Sequence, residues 1–292
     1  MIKIGLIGTQ SMHAWSFAQA CNTPDGEGNY RFPDARVVAA YGTDDTPDHI
    51  QLTLEKGNIP LAVDSMEELF AHCNAFMVLQ RRGGEHLKYA AEIIRRGYPV
   101  FIDKPVCCSI DDLKELQSLA LEHNAVICGG SGLKYCKQVV SLKRKMEEAA
   151  PGEIAGATIS HSADMESPYD GIFFYLPHAV EVMLELFGYN PVSVNTTVLS
   201  HNRFTVCVKY DRYMVNLAIN GSASCSVTIN GKNSDIIRIN DSDIFVESMR
   251  HFIKSIHQQE IAKETTHLTR HVEVILAIQE SIYKKTEVRI GK

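Results

Sequence analysis

The sequence predicts an α/β fold: a doubly wound parallel sheet, followed by an α+β domain with an open antiparallel sheet. Two observations lead to this fold class. Over about the first 130 residues, short apolar runs alternate with helical stretches, which is typical of parallel sheets. From about residue 190, apolar runs follow one another across short turns, which is typical of hairpins. We therefore expect one domain over 1–132 and a second over 133–292.

Composition excludes several classes of function. The formal net charge is −6, and no basic run interleaved with aromatics occurs, so we expect no nucleic-acid partner. The eight cysteines form neither a C-x-x-C pair nor a zinc-ligand spacing, which predicts no metal site and favours a reducing cytoplasm. No apolar leader or run of membrane-spanning length occurs, so we expect no membrane association.

The chain opens with an apolar strand over 2–7, a turn and a helix, which is the dinucleotide-binding (Rossmann) opening. Against G-x-G-x-x-G only Gly8 is in place, because Gln10 and His13 occupy the other two glycine positions. The peptide N–H groups at the helix start would suit a pyrophosphate. We predict that the turn binds a cofactor through Gly8, Thr9, Gln10, Ser11, Met12 and His13. An ordinary strand-to-helix turn is the alternative.

The second strand, over 35–41, is followed by two acidic residues, Asp44 and Asp45. In dinucleotide-binding folds an acid near this point binds the adenosine ribose. Asp44 in that role favours NAD, and no arginine follows that would hold a 2′-phosphate. Equally, both aspartates are suited to a loop that caps the next helix.

The alternation continues through helices over 48–56, 65–71 and 85–96 and strands over 61–63 and 75–79, with Ser65 and Glu68 as a capping box. Gln80, Arg81 and His86 follow the 75–79 strand, so we expect them to line the cofactor crevice. A surface position on a helix is the alternative for His86.

The run 99–102 is wholly apolar and predicts a strand buried on both faces. It ends at Asp103, Lys104 and Pro105. Ligands of open parallel sheets lie at the carboxyl ends of the strands, so the Lys104 ammonium is expected to face the ligand. A solvated Asp103–Lys104 salt bridge at a turn is the alternative. A helix over 110–123 and a strand over 125–129 complete this half.

The second half begins with a helix over 134–150, a strand over 153–162 and an apolar helical stretch over 171–187. Pro177 is typical of a helix start and places His178 in the first turn, where its imidazole can exchange a proton with a hydroxyl. A satisfied core histidine is the alternative. Strands are predicted over 192–199, 204–210, 214–220, 225–229 and 236–239, and helices over 244–259 and 267–284.

The antiparallel sheet is expected to carry apolar area on both faces, from Thr205, Val206, Val208, Val215, Leu217 and Ile219. One face would pack on helices, which leaves the other to be covered. We therefore predict a homodimer or homotetramer that pairs through this sheet.

Three motifs together resemble the Gfo/Idh/MocA family of NAD(P)-dependent sugar and inositol oxidoreductases. They are Gly5 to Thr9 at the start of the chain, Asp103-Lys104-Pro105 where the family has Glu-Lys-Pro, and the helix 171–188 with a central histidine. The stretches 101–105, 131–135 and 171–175 are similar to a short, little-characterised branch. The resemblance covers nearly the whole chain.

The resemblance implies hydride transfer between NAD or NADP and a secondary alcohol or ketone of a sugar- or inositol-like polyol. Lys104 would polarise the reacting oxygen and His178 would be its acid/base group. Many members carry an aspartate four residues before the histidine, where this chain has Phe174. We assign substrate contacts to Lys134, Tyr135, Asp164, Tyr175 and Glu181.

Two other functions are compatible with this fold. A non-catalytic sensor that binds the cofactor is favoured by the altered glycine turn and by Phe174, whereas Lys104 and His178 together favour an enzyme. A dehydratase-like or glycosidase-like use of bound NAD is the third possibility.

Overall fold

The computed structural model describes residues 1–222, 224–232, 234–260 and 265–291. They form two compact units. Unit 1 comprises Met1–Cys107, Asp111–Gly129 and Phe245–Thr265, and unit 2 comprises Cys108–Ile110, Gly130–Ile244 and Thr266–Lys292. Residue 292 itself, the end of the predicted second domain, lies outside the described residues. The segment Phe245–Thr265 therefore groups with the N-terminal half of the chain.

Strands and helices follow the predicted order. The strands are β1 (Ile2–Ile7), β2 (Ala35–Tyr41), β3 (Leu61–Val63), β4 (Ala75–Val78), β5 (Val100–Asp103), β6 (Ile127–Gly130), β7 (Ile154–His161), β8 (Ser193–Ser200), β9 (Arg203–Lys209), β10 (Met214–Ile219), β11 (Ser226–Gly231), β12 (Asp235–Arg238) and β13 (Val288–Arg289). The α-helices are α1 (Met12–Asn22), α2 (Pro47–Gly57), α3 (Met66–His72), α4 (His86–Arg95), α5 (Ile110–His123), α6 (Lys137–Glu148), α7 (Leu176–Phe187), α8 (Ile244–Gln258) and α9 (Thr266–Lys284). Short 3₁₀ helices cover Gly83–Glu85, Gly132–Tyr135 and Gly171–Phe174.

Unit 1 is built on a six-stranded sheet with the order β3-β2-β1-β4-β5-β6. The pairings of β1 with β2, β1 with β4, β2 with β3 and β4 with β5 are parallel. The predicted doubly wound parallel sheet is confirmed. The strand order reverses between β1 and β4, and a ligand crevice lies at the carboxyl ends of the strands at such a point.

Polar side chains fix the starts of the helices that follow these strands. Ser11 caps α1 by accepting a hydrogen bond from the His13 N–H. Ser65 caps α3 by accepting from the Glu68 N–H, while the Glu68 carboxylate accepts from the Asp64 N–H. Reciprocal bonds of this kind satisfy peptide donors that have no partner within the helix.

Aromatic side chains join α8 to the sheet of unit 1. The Phe252 ring lies 5.9 Å from that of Phe101 on β5, and the Phe245 ring lies 5.0 Å from that of Phe17 on α1. Both contacts have the edge-to-face geometry that aromatic pairs prefer. The core of unit 1 therefore includes residues from a distant part of the chain.

Unit 2 contains a seven-stranded sheet with the order β12-β11-β7-β10-β9-β8-β13. The strands β8, β9 and β10 form the predicted antiparallel meander. The prediction that it continues into β11 is wrong, because β7 lies between β10 and β11 and pairs parallel with β10. The sheet is therefore mixed, and β13, which was not predicted, extends it at the edge beyond β8.

The two faces of this sheet differ in polarity. Val206 and Val208 of β9 lie opposite Leu217 and Val215 of β10, and all four are buried. Thr205 points to the other face and is exposed. The prediction that these residues supply apolar area on both faces is wrong, because a strand alternates its side chains and all the aliphatic ones fall on the inner face.

None of the helices in the described part of the chain combines the length and the hydropathy that crossing a bilayer requires. Within the same residues, no group of three or more His, Cys, Asp or Glu side chains is arranged to hold a metal ion.

Candidate active site

Gly8 and Thr9 form the turn after β1. Gly8 has φ +93°, and a Cβ on it would lie 2.8 Å from the backbone nitrogen of Gln80, so only glycine fits. Thr9 is fully buried, and its N–H and hydroxyl both contact Asp45 Oδ2, at 2.5 and 2.6 Å. The carboxylate that reaches this turn thus belongs to Asp45, whereas Asp44 is exposed.

The rest of the turn presents side chains in place of the two missing glycines. Gln10 is half-buried and Met12 is exposed, while Ser11 is occupied as the cap of α1. His13 turns towards β5, where its Nδ1 lies 2.6 Å from Asp103 Oδ2. The ring of Phe245 lies 5.1 Å from the His13 ring. The third glycine position is therefore used to hold Asp103.

Asp103, Lys104 and Pro105 follow at the carboxyl end of β5, and all three are buried. The Lys104–Pro105 peptide bond is cis. Burial alone would raise the pKa of Asp103, but the charge and hydrogen bond of His13, together with the Lys104 ammonium, outweigh it and lower that pKa. Asp103 is therefore ionised at neutral pH and supplies a negative charge beside the Lys104 ammonium.

Gln80 and His86 lie beside this strand end. The His86 Nε2 contacts the Gln80 carbonyl at 2.8 Å and its Nδ1 contacts the Pro105 carbonyl at 2.7 Å, so His86 joins the end of β4 to the residue after Lys104. Burial lowers the pKa of His86, although the two carbonyls oppose that shift. Arg81, which follows Gln80, is half-buried.

The side-chain amide of Gln80 is the clearest sign of a ligand in unit 1. Gln80 is 6% exposed, yet neither its amide oxygen nor its amide nitrogen has a hydrogen-bond partner among the described residues. Buried amides are rarely left unpaired, because each lost hydrogen bond costs free energy. The Asp45 Oδ1 atom is buried and unpaired in the same way. A ligand with hydroxyl and carbonyl groups, such as a dinucleotide, would satisfy them.

In unit 2 the candidate residue is His178, which lies one residue after Pro177 in the first turn of α7, as predicted. It is buried, and its Nδ1 lies 2.7 Å from the Ser131 hydroxyl oxygen. The rings of His161 on β7 and of Tyr175 before α7 lie 5.4 and 5.8 Å from the imidazole. His178 is therefore held by a serine, whereas Phe174 packs on Tyr169 and Tyr175.

Lys134 and Glu181, both predicted to contact substrate, contact each other. The Lys134 Nζ lies 2.8 Å from Glu181 Oε2, and both side chains are buried. Burial alone would lower the pKa of Lys134, but the Glu181 carboxylate outweighs it and raises that pKa. Glu181 Oε1 also accepts from the Ser131 N–H at 2.8 Å. The pair therefore fixes the backbone that carries Ser131.

The other three predicted substrate residues are more accessible. Tyr135 is half-buried, with its ring 5.2 Å from the Lys134 Nζ. Asp164 forms a partly exposed ion pair with His201 at 2.9 Å, and Tyr175 is 42% exposed. Of this set, the described contacts place only Tyr175 against His178.

Sequence reasoning missed Ser131 and the contact between Asp45 and Thr9, whereas the assignment of Asp44 to the ribose stays a prediction. One signal could have found Ser131. It directly follows β6, as Asp103 ends β5 and Gln80 follows β4, and the carboxyl ends of the strands are where site residues of parallel sheets gather.

Comparison with known proteins agrees with this geometry. Residues 2–130 match the model of the Gfo/Idh/MocA oxidoreductase family, described as an NAD-binding Rossmann fold. This match covers the N-terminal domain, which is less than half of the chain, so the similarity to this family is shown for that domain. YceM of Salmonella typhimurium, which carries the provisional description of an oxidoreductase, is 26% identical over 156 residues. That match spans 52% of this chain and 49%, about half, of the length of YceM.

Two solved structures extend the similarity to the full length. The scyllo-inositol dehydrogenase of Lactobacillus casei, solved with NAD(H) and scyllo-inositol, aligns with a TM-score of 0.82 at 16% identity. The alignment covers 100% of both chains. The myo-inositol 2-dehydrogenase of Lactobacillus plantarum aligns with a TM-score of 0.81 at 14% identity over 99% of each chain. At these identities the likeness shows the fold.

Proposed function

We propose that this protein is an NAD(P)-dependent oxidoreductase of the Gfo/Idh/MocA family that transfers hydride between the nicotinamide and a secondary alcohol or ketone carbon. Its substrate is a small polyol of the sugar or inositol type. The cofactor supplies the hydride chemistry, and the protein supplies placement and charge.

One observation carries the proposal. Lys104 is 8% exposed and lies at the carboxyl end of β5, beside the ionised Asp103, in a domain of an NAD-binding family. Such a cation stabilises the negative charge that grows on a carbonyl oxygen as hydride arrives. We assign that role to Lys104, and we propose His178 as the acid/base residue.

The cofactor would be held by the turn after β1 and by Gln80. Backbone N–H groups at the start of α1 suit the pyrophosphate, and the unpaired Gln80 amide suits a ribose or a nicotinamide amide. We propose NAD rather than NADP, because the Asp45 carboxylate at this turn and the neighbouring Asp44 would repel a 2′-phosphate.

Calorimetric titration with NAD(H) and NADP(H), followed by turnover with a panel of polyols and ketones, tests the proposal. Lys104→Ala should abolish turnover with any active substrate. Lys114→Ala, which removes an exposed lysine from α5 of the same unit, should leave turnover unchanged. Full activity of Lys104→Ala would refute the assigned role.

A cofactor-binding sensor is the second candidate, and one observation favours it. The Thr9 N–H, which in an open glycine turn could meet a phosphate, already donates to Asp45. Tight cofactor binding without turnover on any panel member would support the sensor. Turnover that depends on Lys104 would exclude it.

We also propose that the protein is a homodimer or homotetramer that pairs through the outer face of the seven-stranded sheet. Thr205 and Cys207 of β9, with Asn216 and Ala218 of β10, present small side chains there, which permits close approach of a second sheet. Light scattering at micromolar concentration tests this proposal, and a monomer would refute it.

A further inference from the structure

We propose that Ser131 is a positioning residue that sets the tautomer of His178, so that Nε2 carries the hydrogen. His178 then acts as a hydrogen-bond donor to a carbonyl oxygen, and the site is built to reduce a ketone or aldehyde. This inference rests on the proposed function, which names the chemistry but not its direction.

The hydrogen bonds of the Ser131 hydroxyl carry the first step. A serine oxygen has one hydrogen and two acceptor sites. The Leu133 N–H donates to this oxygen at 3.3 Å, and the contact with His178 Nδ1, at 2.7 Å, is its other hydrogen bond. Among the described residues, the hydroxyl hydrogen therefore has one acceptor within reach, which is Nδ1. A neutral imidazole that accepts at Nδ1 carries its hydrogen on Nε2.

The opposite tautomer would leave a buried donor without a partner. If Nδ1 carried the hydrogen, it would donate to the Ser131 oxygen, and the serine hydrogen would then lack an acceptor. Ser131 is fully buried, so an unpaired hydroxyl hydrogen would cost free energy there. Ser131 therefore favours the Nε2–H tautomer.

The backbone around Ser131 holds the serine in place. The Ser131 N–H donates to Glu181 Oε1, and Glu181 is fixed by its ion pair with Lys134. Gly130, with φ +79°, lies so close that a Cβ would be 2.9 Å from the Glu181 carboxyl carbon. Ser131 thus has little freedom to turn its hydroxyl away from His178.

A carboxylate at this position would have the opposite effect. An ionised aspartate or glutamate has no hydrogen to donate, so it would accept a hydrogen bond from Nδ1–H. Nε2 would then be unprotonated and could accept a proton from an alcohol. A serine has a hydrogen to give. The rings of His161 and Tyr175 also lie against the imidazole.

The reaction balances as a reduction. The reduced nicotinamide would supply a hydride with its electron pair, which would form a C–H bond to the carbonyl carbon while the π pair of the C=O bond moved to the oxygen. The Nε2–H group donates a hydrogen bond to this oxygen and passes its proton to it as water reprotonates Nε2, which leaves hydroxide. The products are the alcohol, the oxidised nicotinamide and hydroxide.

The tautomer can be measured on the full-length protein without cofactor or substrate. Nitrogen-15 NMR of histidine-labelled protein near pH 8 separates protonated from unprotonated ring nitrogens, and His178→Gln assigns the signals. We expect His178 to show a protonated Nε2 and an unprotonated Nδ1. Ser131→Thr, which keeps the hydroxyl, should preserve this pattern, and Ser131→Asp should reverse it. A protonated Nδ1 in the unaltered protein would overturn the proposal.

Kinetics tests the direction separately. With the reduced cofactor and a carbonyl substrate, Ser131→Ala should lower kcat about tenfold or more while the KM of the cofactor stays unchanged. Ser131→Asp should shift the ratio of the oxidation kcat to the reduction kcat towards oxidation by about tenfold. Unchanged kcat values in both variants would overturn the role of Ser131. If the protein bound no nicotinamide cofactor, the proposed function and the proposed direction of the reaction would both be refuted. The proposed tautomer of His178 would still be tested by the nitrogen-15 NMR spectrum alone.

Discussion

Replacing either member of the Lys134–Glu181 pair should destabilise the protein far more than replacing both. The two side chains are 6% and 3% exposed and 2.8 Å apart, so removing one leaves a buried charge without its partner. That loss typically costs about 3–5 kcal/mol. Lys134→Met and Glu181→Leu should each lower the free energy of unfolding by about this amount. The double variant packs two apolar side chains but leaves the buried Ser131 N–H without its acceptor, so it should lie within roughly 2 kcal/mol of the unaltered protein.

Urea unfolding followed by far-ultraviolet circular dichroism at pH 7.5 measures all four proteins of this double-mutant cycle. The expected coupling energy is about 3 kcal/mol or more. Lys143→Met, which breaks a more exposed ion pair with Glu185, is the matched control and should cost about 1 kcal/mol or less. Single variants of Lys134 and Glu181 that cost no more than this control would refute the reasoning.

Three further predictions follow from individual contacts. Burial lowers the pKa of His271, although the Glu181 carboxylate 3.8 Å from its Nδ1 opposes that shift, so below about pH 6.5 the unfolded chain binds a proton that the native protein does not. The free energy of unfolding should therefore fall as the pH drops below about 6.5. His271→Leu should reduce the dependence of this free energy on pH by up to about 1.4 kcal/mol per pH unit, and an unchanged dependence in urea titrations would contradict the prediction. Gln80→Leu should leave the melting temperature unchanged or raised but weaken NADH binding about tenfold by calorimetry, and unaltered affinity would show that the amide does not contact the cofactor. Gly130→Ala should destabilise far more than Gly152→Ala, since both have positive φ (+79° and +85°) but only Gly130 lies against Glu181; equal losses in thermal melts would contradict that contact.

Much of the fold could be predicted from local patterns. Apolar runs and caps identified the strand Leu61–Val63 and the helix Ile110–His123 with their observed bounds, because each element is specified by neighbours in sequence. The pairing of β7 with β10 could not be predicted in this way. Strand order in unit 2 depends on a parallel contact between residues some sixty positions apart, and no turn motif records it.

In the candidate site too, local sequence patterns predicted some residues, whereas contacts between distant residues could not be predicted. Lys104 and His178 were predicted because an abrupt charge after a buried strand and a proline at a helix start are local signals. The bonds of Ser131 to His178 and of His13 to Asp103 join residues 47 and 90 positions apart. Serine and histidine carry no pattern that names such distant partners, so these contacts emerge only from the folded chain.

The return of α8 to the first sheet limits how this polypeptide can be divided. A fragment that stops after β6 would contain all six parallel strands yet lack Phe252, Met249 and Ile253, and it would leave the rings of Phe101 and Phe17 facing water. Expression of the nucleotide-binding half by itself therefore calls for a fused copy of residues 245–260 rather than simple truncation.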